Sequence, residues 1–247
     1  MATDSDINIV IPLYEGFNIL DVTGPIEIFH WVDGLKHYTV AETSDPVTSV
    51  EGVKVTPDFS FANAPRVDVL WVPGGWPPYG PLQMPSYMDF VRKAGAEAKW
   101  VTSVCLGGLV LGAAGLLNGY KATTHWAYLS CLELFPGVRL RPRDPHKKNQ
   151  KYPRWVIDRN RVTGGGVSSC LDEALKLVKR LKGKKVAEQT QLTVQYAPAP
   201  PVHSGDPQQA PRAIYEQAVA SGKKMVDETS AVIEAVKKSQ GVKLVSP

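Results

Sequence analysis

The chain has 247 residues, 43% of them hydrophobic and 21% charged, and its 28 Lys and Arg against 24 Asp and Glu leave a net charge of +4. This composition excludes disordered, collagen-like and membrane-spanning classes, and the charge is too small to imply a nucleic-acid partner. Acidic residues stand where a signal peptide carries basic ones, and three cysteines (Cys105, Cys131, Cys170) have neither metal-type spacing nor an even-numbered framework, so the expectation is a reduced, cytoplasmic protein with no metal.

Strand-like and helix-like segments alternate. Ile7–Leu13 reads as a buried first strand, too short to cross a membrane. Gly24–Val32 follows a Pro-marked turn and reads as a short helix, and His37–Glu42 as a second strand. Val47–Val55, with Gly52 at its middle, is a hairpin insertion. The apolar run Val67–Val72 ends at Pro73-Gly74-Gly75, so it is a buried strand delivering a glycine loop. A helix over Tyr87–Ala98 precedes a strand over Val101–Val104 and a helix over Leu106–Leu117. Ala122–Thr124 is a short strand leading into a helix from His125 to Phe135. Tyr152–Asp158 and Arg161–Thr163 form a hairpin around Asn160, followed by helices over Ser168–Leu181 and Lys184–Gln195.

Such alternation predicts an α/β fold, a mostly parallel sheet with helices on both faces, in one domain over residues 1–196. Residues 197–247 differ: a Pro-rich arm (197–211), then apolar residues at helical spacing (Ile214, Ala218, Met225, Val232, Val236) that predict a helix packed on the domain or on a partner subunit. The basic segment Arg139–Arg154 holds seven Lys and Arg with few aromatics and reads as a solvated loop.

The most specific signal is Trp100–Leu117, WVTSVCLGGLVLGAAGLL. A β-rich run stops at Cys105, and two glycines open an apolar helix. Ser103-x-Cys105-x-Gly107 has the spacing of a nucleophile elbow with cysteine as nucleophile. Unpaired N–H groups at the helix start favour thiolate over thiol. Cys105 is therefore the candidate nucleophile rather than one more small core residue. In parallel sheets, ligands gather beyond the carboxyl ends of the strands. Four further features follow strands or sit at helix starts. Gly74 and Gly75 offer backbone N–H groups to developing negative charge. Asp21 is either a helix N-cap or a proton donor with a raised pKa. His125 either polarises the cysteine or bonds to backbone. Thr163-Gly164-Gly165-Gly166 is a weak anion-site signal without a P-loop lysine. Trp76, Trp126 and Tyr79 are candidate walls for an apolar substrate.

With these residues in place the chain resembles the ThiJ/PfpI superfamily of class I glutamine amidotransferase-like folds, and within it the isonitrile-hydratase branch. The segments carrying the resemblance are LDVTGPIEIF (20–29), VDVLWVPGG (67–75), SVCLGGLVLGAAGLLNGYKATTHW (103–126), VTGGGVSSCLDEAL (162–175) and YAPAPP (196–201). It implies a flavodoxin-like three-layer sandwich, a nucleophile at Cys105, an acidic partner at Asp21, an oxyanion-type site at Gly75 with the Leu106 backbone, and a homodimer. Other branches fit less well. Peptidase-like members carry His where this chain has Leu106, amidotransferases a late His-x-Glu pair, deglycases Glu at the position of Asp21, and the transcription factors an appended helix-turn-helix domain. The chain departs from the branch at Leu106, where Thr is usual, and at Tyr196-Ala197-Pro198, where Tyr-Asp-Pro is usual.

The expected activity is hydration of an isonitrile to an N-substituted formamide, without cofactor, nucleic acid or membrane. Two other readings stay open: a glyoxalase-like enzyme in which His125 assists Cys105, and a non-catalytic redox sensor oxidised at Cys105.

Overall fold

β1 (Ile7–Pro12) and α1 (Ile19–His30) lead the chain through β2 (Leu35–Ala41), β3 (Val47–Thr48), β4 (Lys54–Val55), β5 (Phe59–Ser60) and β6 (Val69–Val72). There follow α2 (Pro85–Glu97), β7 (Trp100–Ser103), α3 (Gly107–Ala113), β8 (Lys121–Ala122), α4 (Leu129–Glu133), β9 (Arg139–Leu140), β10 (Trp155–Asp158), β11 (Arg161–Gly164), α5 (Ser169–Lys182), α6 (Lys184–Thr193) and α7 (Arg212–Ser239). This computed structural model describes residues 6–142 and 152–239; most of the basic segment, 143–151, lies outside them.

The main sheet runs in the order β10-β11-β7-β6-β1-β2-β5, and only β10 is antiparallel to its neighbour. Its central strands read as continuous apolar runs because both faces are covered: Ile9, Val10, Ile11 and Val69–Val72 are wholly buried. Right-handed crossovers explain the layering. The β1–β2 connection runs one way across the sheet and the β6–β7 connection the other, so α1 and α2 take opposite faces. α5 returns to pack on α1, while α3 packs with α4 and α7. This is the flavodoxin-like sandwich, and the order reverses between β1 and β6. Ligand crevices open at such reversals.

Four boundaries differ from expectation for physical reasons. α1 begins at Ile19, five residues before Gly24, because the Asn18 side chain accepts from the N–H groups of Leu20 and Asp21 and caps it there. Pro25 therefore lies inside the helix, unable to donate to the carbonyl of Asp21. The indole N–H of Trp71 on β6 takes that role at 3.0 Å. α3 is short: Gly115, at φ +76°, turns the chain out of the helix. The 125–135 segment is a 3-10 turn (Trp126–Tyr128) followed by α4. β8 pairs with β9 in a small separate sheet, outside the main one.

The arm over 197–211 forms no helix or strand. The second half of α7 lies on the body through Met225, Val226, Thr229 and Ile233, and Cys131 Sγ sits 3.4 Å from Ser230 Oγ. The first turns of α7 are mostly exposed. Among the described residues no helix is long and apolar enough to cross a membrane.

Candidate active site

Cys105 follows β7 at φ +54°, a conformation that costs a non-glycine residue on the order of 1–3 kcal/mol. Three hydrogen bonds hold it there. Its N–H donates to Gly165 O (2.8 Å), and its carbonyl accepts from Thr124 Oγ1 (2.6 Å) and the His125 N–H (3.3 Å). Gly107 permits the abrupt restart of the helix, since a Cβ there would lie 2.2 Å from Val72 O on the neighbouring strand.

The sulfur is reached by the N–H groups of Leu106 and Val167, and both favour thiolate. Burial and the negative charge of Asp21 act the other way and win, raising the thiol well above its ordinary pKa. This corrects the expectation of a resting thiolate. The amides at the helix start are present, but a fully enclosed sulfur beside a carboxylate keeps its proton.

Asp21 is fully buried and is not the N-cap of α1. Its Oδ2 accepts from the Gly74 N–H at 2.8 Å, and its Oδ1 has no hydrogen-bond donor among the described residues. Burial pushes this carboxyl up to about 7, opposed by the Gly74 N–H. The Glu51 carboxylate pushes it further up, and the facing Cys105 thiol pulls it down. Glu51 comes from the turn between β3 and β4, where it accepts from Ile19 N (3.1 Å) and Asn18 Nδ2 (2.8 Å) and so braces the start of α1.

The glycine loop after β6 is the meeting point. A Cβ on Gly74 would lie 2.5 Å from Leu106 N, 2.9 Å from Cys105 Cβ and 3.0 Å from Asp21 Oδ2. Any side chain there would push the Cys105 thiol and the Asp21 carboxyl apart. Phe17 and Gly75 form an isolated antiparallel bridge, through Asn18 N to Gly74 O and Trp76 N to Gly16 O, each 2.8 Å. The Gly74 N–H is committed to Asp21. The Gly75 N–H has no acceptor among the described residues, so it is the uncommitted amide of the pair.

Cys105, Asp21, Gly74, Gly75 and the Leu106 backbone thus converge, while the His125 side chain turns to another task. Its Nδ1 accepts from Ala127 N at 3.3 Å, and burial pushes it down to about 4, leaving it neutral. Its ring lies over Gly166, where a Cβ would sit 2.8 Å from Cδ2. The 164–166 glycines are packing spacers rather than an anion cradle: the side chain of Glu173 fills the space beside Gly164. Trp126 packs against Tyr215 of α7, and Trp76 is half-exposed.

Sequence reasoning missed Tyr14, Val167 and Glu173. Val167 supplies an N–H that no side-chain pattern reveals. Glu173 is fully buried on α5, neither carboxyl oxygen has a partner among the described residues, and burial together with Asp21 raises it far above the carboxylate range. The Tyr14 hydroxyl lies against Gly75, and its one sequence signal was an aromatic at the carboxyl end of the first strand. Among the described residues no group of three or more His, Cys, Asp or Glu could hold a metal ion.

The profile of the DJ-1/PfpI family matches residues 7–180. The chain is 41% identical over 200 residues to an isonitrile hydratase of Pseudomonas putida, covering 81% of this chain and 82% of that protein. Its structure is similar to that of a ThiJ/PfpI family protein from Pseudomonas syringae (TM-score 0.84, 36% identity, 93% and 91% of the two chains). It also shares its fold with Toxoplasma gondii DJ-1 (TM-score 0.64, 21% identity, 78% of this chain and 100% of that one).

Proposed function

Because the chain belongs to the DJ-1/PfpI family, we propose that it is a cysteine-dependent isonitrile hydratase, a lyase converting an isonitrile and water to an N-substituted formamide. One observation carries this reading: the Cys105 thiol and the Asp21 carboxyl face each other in a buried site where the carboxyl titrates near neutrality. A single group of that kind can take a proton and return it at neutral pH. The similarity to the Pseudomonas putida enzyme supports the choice of substrate.

In the first step the Asp21 carboxylate accepts the Cys105 proton. The thiolate forms a C–S bond to the terminal isonitrile carbon while Asp21 passes the same proton to that carbon, leaving a thioimidate, R–N=CH–S–Cys105. Water then adds to this carbon. Its proton travels through Asp21 to the nitrogen, giving R–NH–CH(OH)–S–Cys105. The C–S bond breaks, the hydroxyl proton returns by Asp21 to the sulfur, and R–NH–CHO departs. Atoms balance as isonitrile plus water. The Gly75 N–H is the proposed backbone donor to the oxygen or nitrogen that carries charge.

Incubating the purified protein with an alkyl isonitrile and following formamide by mass spectrometry tests the reading. Turnover by the wild type and none by Cys105→Ser is the expected result. Absence of formamide from the wild type overturns it. The same reading includes a cytoplasmic homodimer, which size-exclusion chromatography checks against the 27.0 kDa chain.

A further inference from the structure

Tyr14 lies in the loop between β1 and α1 and is 3% exposed. Its ring is fixed edge-on against Tyr87, with centroids 5.1 Å apart and planes at 73°. Tyr87 is itself wholly buried and anchored by its hydroxyl to Pro12 O at 3.4 Å. The Tyr14 ring therefore has little freedom, and its hydroxyl is aimed by packing.

That hydroxyl points at the glycine loop. A Cβ on Gly75 would lie 2.7 Å from Tyr14 Oη, while one on the adjacent Gly74 would touch Cys105 Cβ and Asp21 Oδ2. The phenol shares the electrostatic environment of the reacting pair: Asp21 and Cys105 both act on it. Yet it makes no hydrogen bond with any described residue. Unlike Asp21 Oδ1 and the Glu173 carboxyl oxygens, this oxygen is not sealed off, so part of its surface stays open to a bonding partner. Burial and the nearby negative groups hold its pKa far above the ordinary value, so it stays a donor while Asp21 cycles.

We propose that Tyr14 is a further catalytic residue, whose hydroxyl donates a hydrogen bond to the heteroatom attached to the carbon that Cys105 attacks. In the isonitrile reaction, on which this inference rests for its substrate, that atom is the nitrogen. As sulfur adds, the nitrogen gains a lone pair in the plane of the thioimidate, and the phenol meets it without giving up its proton. The donor complements the Gly75 N–H. It also supplies a side-chain hydroxyl in a site where position 106 is Leu.

Tyr14→Phe removes the hydroxyl and keeps the ring on Tyr87. With an alkyl isonitrile, kcat is expected to fall roughly 10- to 150-fold, the worth of a hydrogen bond to a group bearing charge, with KM little changed. Alkylation of Cys105 by iodoacetamide, which reads sulfur accessibility and ionisation, is expected to proceed at the wild-type rate. An unchanged kcat overturns the proposal, and so does a matching loss of alkylation, which marks a merely structural role. If the wild type itself does not hydrate isonitriles, the functional reading fails separately. Tyr14 is then read on hemithioacetal formation between Cys105 and methylglyoxal. A lower extent in Tyr14→Phe supports it, and equal extents, nil included, overturn it.

Discussion

Trp71 on β6 donates its indole N–H to the carbonyl oxygen of Asp21 on α1 at 3.0 Å, in place of the amide that Pro25 lacks. A proline four residues on would otherwise leave that buried carbonyl unbonded. Instead, the residue carrying the proposed acid-base group is tied by its main chain to the strand that delivers Gly74, and by its side chain to Gly74 itself. Helix, sheet and glycine loop are locked together at Asp21.

Trp71→Phe is expected to cost about 1–3 kcal/mol from the unsatisfied carbonyl alone, with activity falling as Asp21 loosens. Pro25→Ala restores an amide at the right position. In the Trp71→Phe background it is expected to recover part of the loss, about 1 kcal/mol. Urea unfolding of the four proteins in a double-mutant cycle measures the coupling, and strict additivity would deny that Trp71 and Pro25 serve the same carbonyl.

Cys105→Ser is expected to abolish turnover with the fold intact, and Asp21→Asn to lower kcat roughly 10²–10⁴-fold. His125→Asn should be far milder, because that ring bonds backbone and is held neutral. A His125 variant more damaging than Asp21→Asn would favour the carbonyl chemistry instead. Cys131→Ala and Cys170→Ala should retain turnover.

The pH dependence follows from Asp21. To accept the thiol proton it must be ionised, and burial holds it up to about 7. kcat/KM should therefore rise through about pH 7 and fall about tenfold per unit below it. This limb belongs to the Cys105–Asp21 pair, and Asp21→Asn should lose it. A flat profile from pH 5 to 8 in the wild type would remove Asp21 from proton transfer.

Stability has the opposite slope. A carboxyl raised in the folded state binds more protons there than in the unfolded chain, so Asp21 favours folding most below its ordinary pKa of 3.8. That contribution is lost as pH rises through about 7. Glu173, raised well above 4.5 by burial, carries the same sign. Glu173→Met removes a buried carboxyl that has no partner among the described residues. It is expected to stabilise the protein by about 1–3 kcal/mol at pH 8, and by less at pH 5. Urea midpoints at the two pH values decide it; a loss at both would mean that Glu173 is bonded in solution.

Leu106 places its N–H on the Cys105 sulfur while its side chain is 6% exposed in the core. Leu106→Thr adds a hydroxyl next to Cys105, the proposed nucleophile. If the chain is a hydratase lacking that bond, turnover should rise by roughly 10- to 150-fold. A gain on small isonitriles with a loss on bulky ones would instead show that Leu106 shapes the pocket. Comparing kcat on methyl and cyclohexyl isonitrile separates the two.

The amino-acid sequence by itself determined the parallel sheet, the elbow at Cys105 and the glycine loop at 74–75, because each is written in contiguous residues. Apolar runs bounded by glycine and proline mark buried strands, and a strand ending in Cys-x-Gly-Gly allows little but a sharp restart. The start of α1 was not legible. Pro25 reads locally as a helix beginning; the Asn18 cap sets the earlier start, and the indole of Trp71, fifty residues away, supplies the donor that Pro25 lacks inside the helix. The resting state of Cys105 escaped for the same reason. Local amides argue for thiolate, whereas the terms that win, full burial and the charge of Asp21, arise from elements distant in sequence. Tyr14, Glu173 and the Val167 amide reached the site only through tertiary packing. Hydrogen-bond satisfaction and desolvation are properties of the assembled interior, set by which groups fold against one another, and no local spacing encodes them.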